Sequence, residues 1–122
     1  MGKFIVRTVK TGIMFNLKAG NGETIATSEI YTTEAACLKG IASVVKNAPI
    51  APVENQTVEG FAKEKCPKFE VYKDKAGEFR YRLKAANGQI VAVSESYKAL
   101  ASCLNGIESV RKNAAENNIV KE

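Results

Sequence analysis

The chain contains the same sequence segment twice, and this duplication constrains the fold more than any other feature. When the 122-residue sequence is shifted by 66 positions, residues 17–48 align with residues 83–114, and 19 of these 32 positions are identical. Upstream the match continues at a shift of 65, which places one added residue near Glu78. A repeat of about 50 residues buries too little apolar surface to be stable by itself, so we expect the two copies to share one core.

Each copy predicts three strands followed by a helix. Alternating apolar residues indicate the first strand, at Phe4 and Val6 in one copy and at Phe69 and Val71 in the other. An Asn-Gly dipeptide at 21–22 and again at 87–88 predicts a type I′ hairpin turn, in which both central residues have positive φ. Apolar and small residues at helical spacing indicate the helix. They are Cys37, Gly40, Ile41, Val44 and Ala48 in the first copy and Cys103, Gly106, Ile107, Val110 and Ala114 in the second. A short extended segment follows each helix.

We therefore predict an α+β fold of two tandem β-β-β-α(-β) repeats that form one domain with an approximate two-fold axis. The sheet is expected to be antiparallel, with both helices on one face. Repeat one spans residues 1–54, a polar linker spans 55–66, and repeat two spans 67–122. Gly40 and Gly106 each cost about 1 kcal/mol of helix stability relative to alanine, so we expect close backbone packing at both positions.

The motifs that the two copies share resemble those of a known protein family. Each copy has Asn-Gly, then Ser-Glu-x-Tyr, then Cys-Leu-x-Gly-Ile-x-Ser-Val and finally Asn-Ala. This combination resembles the YegP-like family, small bacterial proteins of one or two such repeats whose function is not established. The resemblance covers nearly the whole chain except residues 55–66. It implies units that join into a single sheet, exchange their last short strands and pack their helices on one face, and it implies no catalytic residue.

The composition argues against an enzyme. The sequence contains no histidine, which removes Ser-His-Asp and Cys-His catalysis and imidazole metal ligands. Ser28-Glu29 and Ser94-Glu95 end the third strand of each copy, but neither serine begins a Ser-x-x-Lys motif. We interpret these hydroxyls and carboxylates as partners for backbone N–H groups at the turn into the helix. No catalytic residue, metal site or cofactor is expected.

The cysteines and the hydropathy pattern predict a cytoplasmic protein without membrane contact. Cys37 and Cys103 lie on the apolar stripes, where a free thiol behaves as a small hydrophobe, and Cys66 is expected to be exposed and unpaired. The amino-terminal segment MGKFIVRTVK has no apolar signal core. No apolar run approaches the roughly 20 residues that cross a bilayer.

The second strand of repeat two carries the most suggestive pattern for binding. If Tyr81 and Leu83 face the core, the alternate side chains project from the side of the sheet without helices. The neighbouring strands are expected to add Glu70 and further residues to that side. The candidate binding face therefore consists of Tyr72, Arg80, Arg82, Lys84, Val91 and Val93.

Three interpretations of this face stay open. It is either a solvated surface with cross-strand Glu–Arg pairs, a protein contact, or a nucleic-acid site. A contact with a protein partner or with a second copy would use Val91, Val93, Ile25 and Met14. RNA or single-stranded DNA would place phosphates on the arginines and a base on Tyr72, a reading that the net charge of +5 permits. We predict a non-enzymatic binding or assembly protein that acts as a protein-interaction module, with the nucleic-acid binder as the alternative.

Overall fold

The computed structural model describes residues 2–122, which form eight strands and two helices. The helices are α1 (Glu34–Asn47) and α2 (Leu100–Ala114). The strands are β1 (Lys3–Val9), β2 (Gly12–Lys18), β3 (Thr24–Thr27), β4 (Val53–Asn55), β5 (Lys68–Lys73), β6 (Phe79–Lys84), β7 (Ile90–Val93) and β8 (Ile119–Lys121). The predicted α+β class with a tandem repeat is confirmed.

All eight strands belong to one sheet, in the order β4-β5-β6-β7-β3-β2-β1-β8. At its centre, β3 and β7 are antiparallel and meet through a single pair, Thr27 and Val93, which are equivalent positions of the two repeats. At its edges, β4 of repeat one lies beside β5 of repeat two, and β8 of repeat two lies beside β1 of repeat one. The repeats have therefore exchanged their last strands, as the family resemblance implied.

Both outer pairings are parallel, so the sheet is mixed and not wholly antiparallel as predicted. The cause lies in the connections. A tight hairpin forces its two strands to be antiparallel, whereas each exchanged strand is reached through a helix that carries the chain to the far edge of the other repeat.

Both Asn-Gly segments form hairpin turns, but the predicted type I′ geometry is wrong. Gly22 and Gly88 have φ values of 86° and 84°, whereas neither preceding asparagine has positive φ. In the first turn, the Gly22 N–H donates to the Ala19 carbonyl and the Ala19 N–H donates to the Glu23 carbonyl. This is a three-residue loop in which only the last position adopts the left-handed conformation, so glycine is needed there alone.

The helices cover one side of the sheet and enclose a core shared by both repeats. The largest buried strand side chains are Tyr81, Phe4, Phe15, Phe69, Leu17 and Leu83. Cys37 and Cys103 are buried free thiols, and burial raises the pKa of Cys103 to about 11. A Cβ atom on Gly106 would lie 2.8 Å from Cε2 of Tyr81, so the expected close packing of this helical glycine is present.

Tyr81 forms a hydrogen bond between the two repeats inside this core. Its side chain is 1% exposed, and its hydroxyl donates to the carbonyl of Ile25 in repeat one at 2.5 Å. Repeat one has Phe15 at the equivalent position, so it has no hydroxyl that could form the matching hydrogen bond to repeat two. Burial is the main cause that raises the pKa of Tyr81 far above its ordinary value, which keeps the hydroxyl a donor.

Tyr81→Phe is expected to lower the free energy of unfolding by about 1–2 kcal/mol, because the Ile25 carbonyl loses its buried donor while the packing stays the same. Urea unfolding followed by circular dichroism measures the change. Tyr72→Phe, on the other side of the sheet, is the matched control and should change stability by less than about 0.5 kcal/mol. Equal stability of the two variants would contradict a stabilising role for the Tyr81 hydroxyl.

Candidate functional site

The side of the sheet without helices carries most of the predicted residues. In the register of β5 and β6, Glu70 lies opposite Arg82 and Tyr72 lies opposite Arg80. The alternate residues Phe69, Val71, Tyr81 and Leu83 belong to the core under the helices. Tyr72, Arg80, Arg82 and Lys84 therefore lie on the helix-free face, where the period-two pattern placed them.

Arg80, Arg82 and Lys84 form the basic row of β6. The carboxylate of Glu70 neutralises the charges of Arg82 and Lys84. Glu70 is only 3% exposed and lies 2.6 Å from the Arg82 guanidinium and 3.2 Å from the ammonium groups of both Lys84 and Lys68. Burial alone would raise the pKa of Glu70, but the hydrogen bonds from these three cations lower it. A buried carboxylate requires such partners, so these cations have a structural role before any ligand is considered.

A second buried carboxylate, Glu54, extends this cluster to the edge of the sheet. It comes from the exchanged strand β4 and lies beside Glu70, with Lys68 Nζ at 2.8 Å. The Glu64 N–H and the Gln56 side chain each donate to it at 2.7 Å. The linker therefore passes over the helix-free face at this point, which leaves Glu54 2% exposed. We call Glu54, Lys68, Glu70, Arg82 and Lys84 the ionic cluster.

The side chains of Arg80 and Tyr72 also contact other side chains of the same protein. Arg80 Nε lies 2.8 Å from the carboxylate of Asp74, which the one-residue longer turn of repeat two supplies. The Arg82 guanidinium lies over the ring of Tyr72, 4.4 Å from its centroid. One face of the only aromatic ring predicted for base stacking is therefore covered by a side chain of the same protein.

Val91 does not lie on the helix-free face, and that part of the sequence prediction is wrong. Ala92 pairs with Leu83 and Ile90 pairs with Lys84, so Val91 is the extra residue of a β-bulge. A bulge directs two successive side chains to the same side, and Val91 is buried with Ala92 in the core. Ile90 takes its place beside Lys84 and is 38% exposed. Ile25 is buried by the equivalent bulge of repeat one.

A groove lies where β3 and β7 diverge on either side of their single pair. Its volume is about 490 Å³, and we call it the seam groove. It is lined by Thr27, Ser28, Glu29, Arg80, Ile90, Ala92, Val93, Ser94 and Glu95. Val93 and Arg80 are the predicted face residues that the structure brings together here, whereas Tyr72, Arg82 and Lys84 lie outside the lining.

The seam groove has two carboxylates and one cation in its lining, whereas the sequence predicted a basic face. Within residues 2–122, neither Glu29 nor Glu95 forms an ion pair, whereas Arg80, Arg82 and Lys84 each do. Sequence reasoning considered the two Ser-Glu dipeptides only as turn residues. The repetition of the dipeptides is visible in the sequence. That Glu29 and Glu95 line the same groove depends on the pairing of β3 with β7, which the sequence does not show.

The serines of the same dipeptides have the backbone role that was expected. The Ser28 hydroxyl accepts from the Phe15 N–H at 2.9 Å and donates to the Glu29 carbonyl at 2.7 Å. Ser94 makes the same two contacts with Tyr81 and Glu95. Both hydroxyls are thus engaged with the main chain.

In the part of the chain that the structure describes, no group of three His, Cys, Asp or Glu side chains is placed to hold a metal ion. Neither of its helices is long and apolar enough to cross a membrane.

Fold and site together define a small α+β protein of two strand-exchanged repeats with an ion-paired sheet face. A family model described as a domain of unknown function, DUF1508, matches residues 10–55 and 74–120. A UPF0339 protein of Photorhabdus laumondii is 41% identical over 113 residues, which cover 93% of this chain and 86% of that protein. The solution NMR structure of yegP, a protein of unknown function from E. coli, superposes with a TM-score of 0.81 at 36% identity, over 99% of this chain and 92% of that one.

The chain belongs to the YegP-like family, which carries the UPF0339 designation and is uncharacterised in function. A UPF0339 protein of Treponema denticola is 59% identical over 54 residues, which are 44% of this chain but 93% of that relative. Family members of about one repeat therefore exist beside those of two.

The ionic cluster predicts how stability depends on pH. Burial raises the pKa of Glu54, but hydrogen bonds from Gln56, Lys68 and Glu64 outweigh it and lower that pKa from 4.5 to about 2. A lowered carboxylate pKa adds stability that is complete above the unfolded value and is lost as the pH falls through the folded value. We expect the free energy of unfolding to fall between about pH 4.5 and pH 2.

Glu54→Gln is expected to be less stable than wild type at pH 7 and to lose less stability over that acidic window. Urea unfolding at pH 7, 4.5 and 3 measures both effects. Glu59→Gln, in the exposed part of the linker, is the control and should follow wild type at each pH. An unchanged slope in Glu54→Gln would show that Glu54 does not contribute to the acid sensitivity.

Proposed function

We propose that the protein is a non-enzymatic interaction module whose seam groove docks a segment of a partner protein. The segment would present an apolar side chain flanked by basic residues. The observation that carries this proposal is the charge pattern: Glu29 and Glu95 have no ion-pair partner in residues 2–122, whereas every cation of the predicted basic row has one. Charge complementarity therefore favours a basic partner.

The apolar part of the groove supports an anchoring side chain. Ile90 is exposed, Val93 is half-buried, and Ala92 contributes to the lining between them. In protein interfaces, an apolar side chain in a pocket supplies most of the binding energy, and charged groups at the rim supply selectivity. The groove lies at the approximate two-fold axis, so each repeat contributes one carboxylate and one wall.

The alternative of RNA or single-stranded DNA has weaker support. A phosphate would have to draw Arg82 or Lys84 away from Glu70 and leave a buried carboxylate with fewer partners, which is costly. Readers of single strands usually stack bases on two or three aromatic rings. The predicted binding face has one aromatic ring, that of Tyr72, and Arg82 already covers one side of it.

The non-enzymatic and cytoplasmic parts of the proposal rest on side-chain chemistry. The sequence has no histidine, and the hydroxyls of Ser28 and Ser94 are committed to backbone groups. The three cysteines are free, which is typical of proteins kept in a reducing compartment. The exchanged strands and shared core support a single domain of two repeats, with residues 1–54 and 67–122 joined by a linker at 55–66.

A labelled seven-residue peptide with a central leucine flanked by two arginines tests the seam groove. Fluorescence anisotropy at 50 mM salt is expected to show binding that weakens at least tenfold in Glu29→Gln/Glu95→Gln and in Val93→Asp. Glu23→Gln/Glu59→Gln removes the same charge from exposed sites elsewhere and should bind like wild type. Equal weakening in this control would show that peptide binding depends only on the net charge of the protein, and it would contradict the proposal.

The same measurement with labelled RNA and single-stranded DNA is expected to give no submicromolar binding at 50 mM salt, where electrostatic attraction is strong. Submicromolar binding that falls steeply at 200 mM salt and is lost in Arg80→Glu/Arg82→Glu would make nucleic acid the partner. Sedimentation at increasing protein concentration tests self-association. If the protein forms a dimer that Val93→Asp abolishes, the partner in the seam groove is a second copy of this chain and not a basic segment.

A further inference from the structure

The duplication creates a pair of equivalent grooves on the helix side, each between one helix and the last hairpin of the other repeat. One lies between α1 and the β6–β7 hairpin and consists of two connected parts of about 360 Å³ each. The parts share Lys39, Ser43, Ala85 and Asn87, and we call them together the α1 groove. Its counterpart, the α2 groove, lies between α2 and the turn at residues 19–21.

The two grooves differ in charge although they are equivalent in position. The α1 groove contains Lys39 and Lys46 and no acidic lining residue. The α2 groove contains Lys112 at the position equivalent to Lys46, but it adds Glu108 and Glu116. Within residues 2–122, neither lysine of the α1 groove forms an ion pair. Their charges are therefore available to a ligand.

The Tyr31 hydroxyl lies in the α1 groove against Gly40, and its surroundings differ from those of its counterpart Tyr97. In repeat two, the ring of Tyr97 stacks on Tyr81 at 6.1 Å, which brings the two phenol groups together. In repeat one, Tyr31 stacks on Phe15 at 6.5 Å, and phenylalanine offers no hydroxyl. Tyr31 lines the α1 groove, so its half-buried hydroxyl is a donor for whatever occupies the groove beside Gly40.

The spacing of the polar groups fits an extended chain. Lys39 and Lys46 are seven residues apart on α1, which corresponds to two turns, or about 10 Å along the axis. A peptide in the extended polyproline II conformation has three residues per turn and advances about 3.1 Å per residue, so carboxylates three positions apart lie on one face about 9 Å apart and would meet both ammonium groups. The wall of the groove also contains the small residues Ala42 and Ala85, which allow a peptide backbone to approach closely, whereas the space over Gly40 is filled by the Tyr31 hydroxyl.

We propose that the α1 groove binds an extended acidic segment of a partner protein, with two carboxylates three residues apart on Lys39 and Lys46. The Tyr31 hydroxyl, which lies against Gly40, donates to the part of the segment that is near Lys39. This site is separate from the seam groove, which lies at the opposite face of the sheet and carries the opposite charge. The two proposals therefore succeed or fail independently.

The test uses a labelled seven-residue peptide with two glutamates three positions apart and alanine elsewhere. Fluorescence anisotropy with the full chain at 50 mM salt is expected to show binding, and a peptide with glutamine in place of both glutamates is expected to show none. Lys39→Ala/Lys46→Ala should weaken binding at least tenfold. Tyr31→Phe should weaken it about fivefold, the loss expected for one hydrogen bond.

Lys63→Ala/Lys65→Ala is the matched control, because it removes two exposed positive charges from the linker. Urea unfolding establishes that each variant is folded, and Lys39→Gln/Lys46→Gln provides a second pair if the alanine pair is not. Equal weakening in the linker control would overturn the site, since attraction would then depend on net charge alone. Absence of binding at 1 mM wild-type protein would also overturn it.

Discussion

The exchange of the last short strand between repeats is the contact on which the rest of the structure depends. Neither repeat completes its own part of the sheet, because β5 is bordered by a strand of repeat one and β1 by a strand of repeat two. The exchange also fixes the route of the linker. Residues 56–67 must join β4 to its parallel neighbour β5, and they do so across the face that the helices leave free.

This route explains why a basic row lies on that face. A crossing segment without regular structure presents backbone N–H groups that need acceptors, and Glu54 accepts the one from Glu64. Two buried carboxylates then require cations, which Lys68, Arg82 and Lys84 provide. At the equivalent edge of repeat one, Ile5 and Val120 stand in place of Glu70 and Glu54 and are 4% and 41% exposed. The cations therefore belong to the packing of the linker.

The strands, the helices and the core shared by the two repeats could be predicted from the sequence, whereas the turn type, the bulges and the contacts of the linker could not. Alternation placed Tyr72, Arg80 and Arg82 on the correct side of the sheet, and repetition placed each helix. The position of Val91 was wrong because a bulge shifts the period by one residue, and the hydrophobic pattern of a four-residue strand does not reveal such a shift. Cross-strand Glu–Arg pairs such as Glu70–Arg82 were among the open interpretations, but the part of Glu54 was missed because it becomes a neighbour of Glu70 only through strand exchange, which the residues by themselves did not indicate.

The two proposed sites use the duplication in opposite ways. The seam groove lies on the two-fold axis and depends on Glu29 and Glu95, which are identical in both repeats. The α1 groove lies off the axis and depends on differences between the repeats, since Lys39 corresponds to Asn105 and Phe15 corresponds to Tyr81. Two identical single repeats that paired by the same exchange would form one symmetric seam but two equal grooves beside their helices. A fused pair is free to change one groove without the other, so a single basic groove beside α1 is a property that duplication within one chain makes possible.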